Sequence, residues 1–184
     1  MKNRLSYDFV YYILGIVASI LIWYLAFNLV HFPKSYETLR IFYAGEIKEY
    51  SFSRIVLENI DEEHLEKVEL ISSKPTDSSF ATKYNVVCFT SCDVAIVPIS
   101  ILEQTACSTA YEVLDNKYEN ESFIQENQIY GIVLNEKNIQ DFSPYFHFLD
   151  EDYAITVISS SVNCGSITNN CYLLLDFLLG YENI

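Results

Sequence analysis

Five cysteines and three histidines are the residues of this 184-residue chain whose spacing most directly tests for a metal site or a nucleophile. Cys88 and Cys92 are four residues apart, so on a helix both thiols would lie on one face. A zinc site needs four ligands, and no histidine stands near either thiol in the sequence. The histidines occur singly, outside HExxH or cysteine-rich motifs. The sequence therefore predicts no metal site, and it predicts small buried cysteines and solvated histidines at Cys88, Cys92, Cys107, Cys164, Cys171, His31, His64 and His147.

Cys164 and Cys171 are close enough in sequence to form a local disulfide. An odd number of cysteines leaves at least one thiol unpaired within the chain. If this part of the chain lies outside the cytoplasm, the two cysteines could be bridged, whereas in a strictly anaerobic organism they would stay reduced. Both states are open at this point.

Motifs that carry catalysis are absent from the sequence. It has no GxSxG nucleophile elbow, no GxxxxGK[ST] phosphate loop and no GxGxxG fingerprint, and it contains five glycines in all. No serine, cysteine or threonine stands in a local motif with a partner base. We expect no catalytic residues and no cofactor; an anchored hydrolase assembled from distant residues is the remote alternative.

The composition indicates a folded, acidic protein. Apolar residues make up 51% of the chain and charged residues 20%, with a net charge of -14. Disorder requires low hydrophobicity together with high charge, so a disordered acidic tail is excluded. The sequence lacks a basic run that could release counterions from a phosphate backbone, and we expect no nucleic-acid partner.

An uncharged segment near the N-terminus predicts a membrane helix. The 22 residues from 9 to 30 carry no charge, and as a helix they span about 33 Å, enough for a hydrocarbon core of about 30 Å. A buried core helix and a secretory signal are the alternatives. A core helix of this length normally has a polar face. A signal peptide ends in small residues, whereas bulky side chains fill residues 25–30. We therefore predict an uncleaved anchor that contacts the lipid bilayer through residues 9–32.

The orientation predicted for this anchor places the N-terminus in the cytoplasm. Lys2 and Arg4 precede the apolar span, as in signal-anchors, and large trailing domains translocate largely regardless of charge. We expect residues 1–8 to be a cytoplasmic N-terminus, residues 33–38 a linker and residues 39–184 a domain outside a cell membrane. Residues 33–184 contain nine basic and 24 acidic residues, a net charge of -15, so the domain should stand off anionic head groups.

Strands and helices alternate along the trailing domain. Apolar runs predict strands, apolar residues at helical spacing predict helices, and polar stretches at 115–128 and 135–152 predict a surface loop and an irregular segment. This order is typical of an open α/β sheet, mostly parallel, with helices on both faces. The predicted strands are 39–45, 68–71, 93–98, 130–134 and 153–158, and the predicted helices are 52–60, 76–88, 99–114 and 167–181.

The carboxyl ends of the first three strands are the predicted binding edge. In open α/β sheets ligands bind outside these strand ends, so their loop residues should line one edge. An aromatic ring there could stack on a ligand, and hydroxyl groups could hydrogen-bond to it; plain turn chemistry is the alternative interpretation. The residues concerned are Tyr43, Gly45, Glu46, Ser72, Ser73 and Ser100.

The order of segments resembles the first lobe of type 2 extracytoplasmic (periplasmic) solute-binding proteins, the capture components of bacterial ATP-driven importers. The matching features are an aspartate that opens the third strand, a Tyr-Gly-Ile strand, and a return strand followed by Ser-x-Asn and a helix. They lie in 39–45, 68–73, 92–98, 130–134 and 155–161 with Asn163. The family has a second lobe after its fourth strand, but here only residues 135–152 separate the fourth strand from the return strand. The family lipoproteins are usually held by a lipidated cysteine, whereas this chain has no cysteine near its N-terminus.

The resemblance implies a single-pass, membrane-anchored domain that serves as an accessory or remnant component of a transport or sensing assembly. Without the opposing lobe the binding edge would be open to water, where a hydrogen bond contributes only about 0.5–1.5 kcal/mol. We therefore expect weak binding of small solutes and a membrane-protein or transport-complex partner. The alternative is a structural or interaction subunit that docks a partner protein and binds no ligand.

Overall fold

The computed structural model describes residues 2–31, 34–60, 65–115, 117–118, 122–164 and 169–180. The chain divides into two compact units, Met1–Lys34 and Ser35–Ile184. The predictions for His64 and for residues 167–168, where the predicted closing helix begins, fall outside the described residues. The same holds for the prediction that concerns the side chain of His31. Each unit is described by itself below.

The first unit is a single helix, α1, over Lys2–His31. Its segment Phe9–Phe27 has a mean hydropathy of 2.1, and none of its residues is buried. By length and composition this is the one helix, among the described residues, that could cross a membrane, and a signal sequence near the N-terminus passes the same test. The apolar helix predicted from sequence is therefore present, and its chemistry fits a membrane anchor or a signal sequence.

The second unit contains a six-stranded sheet with the strand order β3-β1-β4-β8-β6-β5. The six strands are β1 Thr38–Tyr43, β3 Lys67–Ser72, β4 Val94–Pro98, β5 Ser122–Gln125, β6 Gln128–Val133 and β8 Tyr153–Val157. Two short strands, β2 Glu46–Ile47 and β7 Phe146–His147, form a separate antiparallel ribbon. The strands predicted from the apolar runs are all present.

The prediction of a mostly parallel sheet is wrong. β3, β1 and β4 are parallel neighbours as expected, but β8 is antiparallel to β4 and β6, and β5 is antiparallel to β6. Continuous apolar strands indicate burial on both faces, which helices can provide whatever the direction of the strand. The sheet is therefore mixed, with three antiparallel contacts against two parallel ones.

A β-hairpin replaces part of the surface loop that the sequence predicts at 115–128. β5 and β6 are joined by Glu126 and Asn127, which have φ values of 51° and 65°. Positive φ at both central residues is the geometry of a two-residue hairpin turn that matches the twist of its strands. The polar composition correctly indicated a turn here, but not the strand on its N-terminal side.

Helices cover both faces of the sheet. One face packs beneath α2 Phe52–Asn59, α7 Glu136–Phe142 and α8 Asn170–Leu179. The other packs beneath an irregular helical run, formed by α3 Phe80–Thr82, a π-helical segment Lys83–Cys88 and α4 Phe89–Ser91, and beneath α5 Ile99–Leu102 and α6 Cys107–Ala110. Successive strand residues alternate between the two cores, as Ile41 and Phe42 do on β1, because neighbouring side chains of a strand point to opposite faces.

One predicted helix and one predicted irregular segment differ from the structure. The helix expected at 99–114 is broken into α5 and α6, and Tyr111 then pairs as an isolated bridge with Ile158 beyond β8. The segment 135–152, expected to be irregular, contains α7, which begins with a capping box between Asn135 and Asn138. The pairing of Tyr111 with Ile158 accounts for the end of the helical segment before residue 114, and the capping box accounts for the start of α7.

Candidate functional site

A small pocket lies at the carboxyl ends of β1 and β3, where the sequence predicted a binding edge. We call it the strand-end pocket. Its volume is about 180 Å³, and it is lined by Gly45, Glu46, Lys74, Pro75, Thr76, His147 and Leu149. Two of the six residues predicted from sequence, Gly45 and Glu46, therefore line the pocket.

Tyr43 forms the support of the pocket rather than its surface. Its side chain is fully buried and its hydroxyl group donates a hydrogen bond of 2.7 Å to the carbonyl oxygen of His147. The ring contacts Phe146 at 4.6 Å and stacks with Tyr153 at 6.0 Å between centroids. Burial, with Tyr153 adding to it, raises the pKa of Tyr43 well above its usual value. The open stacking face expected from sequence is not presented, because the β2–β7 ribbon covers the ring.

Gly45 lets the chain turn tightly from β1 into β2 over that ring. A Cβ atom at Gly45 would lie 2.5 Å from Tyr43 Cε1 and 2.7 Å from Cζ, closer than nonbonded carbon atoms approach. The absence of a side chain at this position thus allows Glu46 to reach its partner His147 across the ribbon.

The polar side chains at the mouth of the pocket include the ion pair of Glu46 and Lys74, with His147 beside it. Lys74 Nζ lies 2.7 Å from Glu46 Oε2, and both side chains are about half exposed. The hydrogen bond from Lys74 lowers the pKa of Glu46, and His147 lowers it further; Glu46, and then Asp77, raise the pKa of Lys74. The pocket mouth therefore presents one cation and one anion side by side, which suits a ligand or side chain that carries both hydrogen-bond donors and acceptors.

Ser73 stands directly before Lys74 and has a buried hydroxyl group without a hydrogen-bond partner. The residue is 3% exposed, and its backbone N–H donates to the carbonyl oxygen of Tyr43 at 3.2 Å. A buried polar atom without a partner costs free energy, so an unpaired hydroxyl in a native fold calls for an explanation. The strand ends thus hold one unsatisfied donor next to the residues that line the pocket.

The two remaining predicted residues lie apart from the pocket lining. Ser72 ends β3 in register with Tyr43 and is half-buried. Ser100 is exposed after β4, where its hydroxyl group donates a hydrogen bond of 2.7 Å to Glu151. The structure therefore brings Tyr43, Gly45, Glu46, Ser72 and Ser73 together at neighbouring strand ends, and Ser100 contacts a different loop.

Five lining residues were missed in the sequence. Lys74, Pro75 and Thr76 directly follow the predicted serines, and a lysine and a proline at a strand end were the available signal. His147 and Leu149 lie in a segment that the sequence showed as irregular. Only the pairing of β7 with β2 brings His147 opposite Glu46, and no local pattern encodes that contact.

The cysteines lie in the core or beside it. All five are free thiols, with Cys164 half-buried and the others buried. In the part of the chain that the structure describes, no group of three His, Cys, Asp or Glu side chains could hold a metal ion. Cys164 and Cys171 lie on neighbouring segments, because the backbone N–H of Cys171 donates a hydrogen bond of 3.2 Å to the carbonyl oxygen of Asn163.

Comparison with known proteins gives little similarity. No family model matches the chain, and no curated protein matches it. A solved structure that does match is an N-glycan transport solute-binding protein from Streptococcus pneumoniae in complex with Man1GlcNAc. The match has a TM-score of 0.34 and 12% identity, and it covers 58% of this chain and 29% of that protein. It falls on the protein class that the sequence resembles, at a similarity too low to show membership of that class.

Proposed function

We propose that the chain is a single-pass membrane protein whose α/β domain lies outside the cytoplasm as an accessory component of a transport or sensing assembly. In this proposal the strand-end pocket belongs to the surface that contacts a partner protein. The domain would correspond to one lobe of a type 2 solute-binding protein, on the segment order seen in the sequence. The observation that carries the proposal is the apolar segment Phe9–Phe27, none of whose residues is buried and which is followed by a domain with its own core.

The anchor is supported by the composition of its surface. The 19 residues of Phe9–Phe27 span about 28 Å as a helix, close to the hydrocarbon thickness of a bilayer. Their large side chains are 46–75% exposed, so in water they would leave an apolar surface on every side of the helix. Lipid removes that surface from water, and the bulky residues at 25–30 argue against cleavage as a signal peptide.

The size of the strand-end pocket favours a protein partner over a captured solute. Sites for small molecules usually have volumes of about 300–1,000 Å³ and enclose most of the ligand. The strand-end pocket has about 180 Å³, enough for one side chain of a partner. Lys74 and Glu46 at its mouth would then fix the orientation of that partner by charge-assisted hydrogen bonds.

The location of the domain is tested by protease treatment of intact protoplasts that express the full chain. We expect protease to remove the domain and to spare α1, and a reporter fused after Ile184 to be active outside the cytoplasm. The protein should stay in the membrane fraction after high-salt and alkaline washing, because a spanning helix is held by far more buried area than a peripheral contact. Full protection of the domain from protease would contradict the orientation.

The binding surface is tested by site-specific photo-crosslinking in living cells. A photoreactive residue in place of Thr76, in the pocket lining, should yield a defined adduct with a membrane protein. Asn85 is the matched control, because it is exposed on the helical run of the other core and should give no such adduct. Equal adducts from both positions would contradict a specific surface.

The thermal stability of the full chain in detergent distinguishes a solute-binding role from a docking role. A solute present at about 100 times its dissociation constant adds about 2.7 kcal/mol to the stability of the state that binds it. Stabilisation by a sugar, an amino acid or a peptide would establish solute binding. If no solute stabilises the domain and position 76 still crosslinks, the protein acts as a docking subunit, which is the alternative function.

A further inference from the structure

A backbone hydrogen bond holds the segments of Cys164 and Cys171 side by side. Cys171 is in the first turn of α8, and its backbone N–H donates a hydrogen bond of 3.2 Å to the carbonyl oxygen of Asn163. Asn163 directly precedes Cys164, so the two cysteines lie on hydrogen-bonded neighbouring segments. This backbone hydrogen bond places Cys171 beside Cys164, and a disulfide requires backbones that are this close.

The two thiols have different environments. Cys164 is half-buried, and its Sγ donates to Tyr172 Oη at 3.6 Å. Cys171 is fully buried, 3.6 Å from Ser161 Oγ. Interaction with Cys171, followed by that with Tyr172, lowers the pKa of Cys164. Interaction with Cys164, together with burial, raises the pKa of Cys171. Cys164 is therefore the more accessible thiol and the one whose thiolate is favoured, and Cys171 is buried on the neighbouring segment.

We propose that Cys164 and Cys171 form a thiol–disulfide exchange site for disulfides of small thiols, with Cys164 as the attacking thiol and Cys171 as the resolving thiol. This inference stands apart from the function proposed above, because it uses neither the strand-end pocket nor the anchor. It concerns a modification that the domain can undergo on its own surface.

The reaction balances with the disulfide as the oxidant. The Cys164 thiolate attacks one sulfur of R–S–S–R, forming Cys164–S–S–R and expelling RS⁻, which takes a proton. Cys171 loses its proton and attacks the Cys164 sulfur, which breaks the mixed disulfide and releases the second RS⁻. The product is a Cys164–Cys171 disulfide and two molecules of RSH. The two cysteines lose two electrons, and the small disulfide gains them.

The fold restricts this chemistry to one pair of thiols. Cys88 and Cys92 are also neighbours, since the backbone N–H of Cys92 donates to the carbonyl oxygen of Cys88 at 3.1 Å, but they are 0% and 3% exposed, and Cys107 is 0% exposed. An attacking thiol must be reached by its disulfide substrate, so these three cysteines are protected while the domain is folded. Cys164 has both the exposure and the partner that the reaction requires.

A disulfide at this site would reinforce a buried polar network. Asn163 and Asn170, the residues directly before the two cysteines, donate from their side chains to backbone carbonyl oxygens of the segment that leads into β1. Asn163 Nδ2 donates to Thr38 O at 3.0 Å, and Asn170 Nδ2 donates to Tyr36 O at 3.3 Å. Oxidation would therefore bond together the two segments that hold the start of the first strand.

The test uses the full chain, purified in detergent without oxygen and treated with glutathione disulfide. The products are identified by alkylation and peptide mass spectrometry. We expect the wild type to lose the Cys164 and Cys171 thiols together and to release two equivalents of glutathione. The variant Cys171→Ser should stop at a glutathione mixed disulfide on Cys164. In Cys164→Ser the thiol of Cys171 should react on the order of tenfold more slowly or not at all. Cys88→Ser is the matched control and should react like the wild type.

Protection of Cys107 from alkylation reports that each variant is folded, so a loss of reaction is interpretable. Tyr172→Phe should slow the first step and shift its pH dependence upward. The groups that set this dependence are Cys171 and Tyr172, which favour the thiolate, and Glu112 and Asp93, which oppose it. Accumulation of mixed disulfide on Cys171 in the wild type, or equal rates in Cys164→Ser and Cys88→Ser, would overturn the proposal.

Discussion

Replacing Gly45 by alanine should destabilise the domain through a single contact with Tyr43. The added Cβ would lie 2.5 Å from Tyr43 Cε1, 2.7 Å from Cζ and 2.8 Å from the hydroxyl oxygen. The ring cannot move aside freely, because it is fully buried against Phe146 and Tyr153. One of the two residues must therefore shift.

The expected change in the free energy of unfolding follows from two costs and one offset. Overpacking a filled core costs about 1–3 kcal/mol. If the ring moves, the hydrogen bond from Tyr43 to His147 O is weakened, at a further cost of about 0.5–1.5 kcal/mol. Alanine restricts the unfolded chain, and this offsets about 0.4–1 kcal/mol, since Gly45 does not have a positive φ. We expect Gly45→Ala to lower the free energy of unfolding by about 2–3 kcal/mol.

The reasoning predicts that this cost disappears when Tyr43 is leucine. Leucine lacks the ring atoms that the new Cβ would meet, so Gly45→Ala in the Tyr43→Leu background should be neutral or stabilising by up to about 1 kcal/mol. The difference between the two backgrounds is the coupling energy of the pair. Equal costs in both backgrounds would refute the contact as the cause.

The assay is urea unfolding of the full chain in detergent, followed by near-ultraviolet circular dichroism of the tyrosines. Tryptophan fluorescence does not report on the domain, because the chain has one tryptophan, Trp23, and it lies in α1. Gly15→Ala is the matched control, since a Cβ at Gly15 meets no atom within 4 Å. That variant should leave the unfolding of the domain unchanged.

Three further predictions concern polar contacts. Tyr118→Phe should lower the free energy of unfolding by about 1.5–3 kcal/mol in the same urea assay, because it removes the buried hydroxyl that donates to Asp176 at 2.7 Å; an unchanged midpoint would contradict this. Lys74→Ala should leave the urea midpoint unchanged, since its ion pair with Glu46 is exposed, and should reduce the crosslink from position 76; the reverse pattern would make the ion pair structural. Burial raises the pKa of Asp93 in the folded state above its unfolded value of about 3.9. The contribution of Asp93 to stability is therefore fully present below about pH 3.9 and is lost as the pH rises through the folded-state pKa. Urea titrations at several pH values should show the stability of Asp93→Asn gaining on that of the wild type as the pH rises, and a gain as the pH falls would show that the pKa is shifted in the opposite direction.

The long apolar helix and most strands could be predicted from the sequence because their signals are local. The charge-free segment from residue 9 gives α1, and apolar runs give β1, β3, β4, β6 and β8. The parallel arrangement of β1, β3 and β4 could also be predicted, because helical segments separate these strands in the chain. Each of these features depends on residues that are near one another in sequence.

The candidate site was predicted only in part. Gly45 and Glu46 were identified because strand ends can be located from the apolar runs, and both line the strand-end pocket. His147 was not identified, because it enters the pocket through the pairing of β7 with β2, about a hundred residues away in the chain. Tyr43 was expected on the surface, and the same ribbon buries it.

The direction of β6 and β8 and the hairpin at Glu126 and Asn127 were decided only by the tertiary structure. A strand that is buried on both faces has the same apolar composition whether its neighbour is parallel or antiparallel. The composition of the sequence therefore determined which segments must leave water, and the choice of partner for each segment depended on long-range backbone hydrogen bonds and packing that no local pattern specifies.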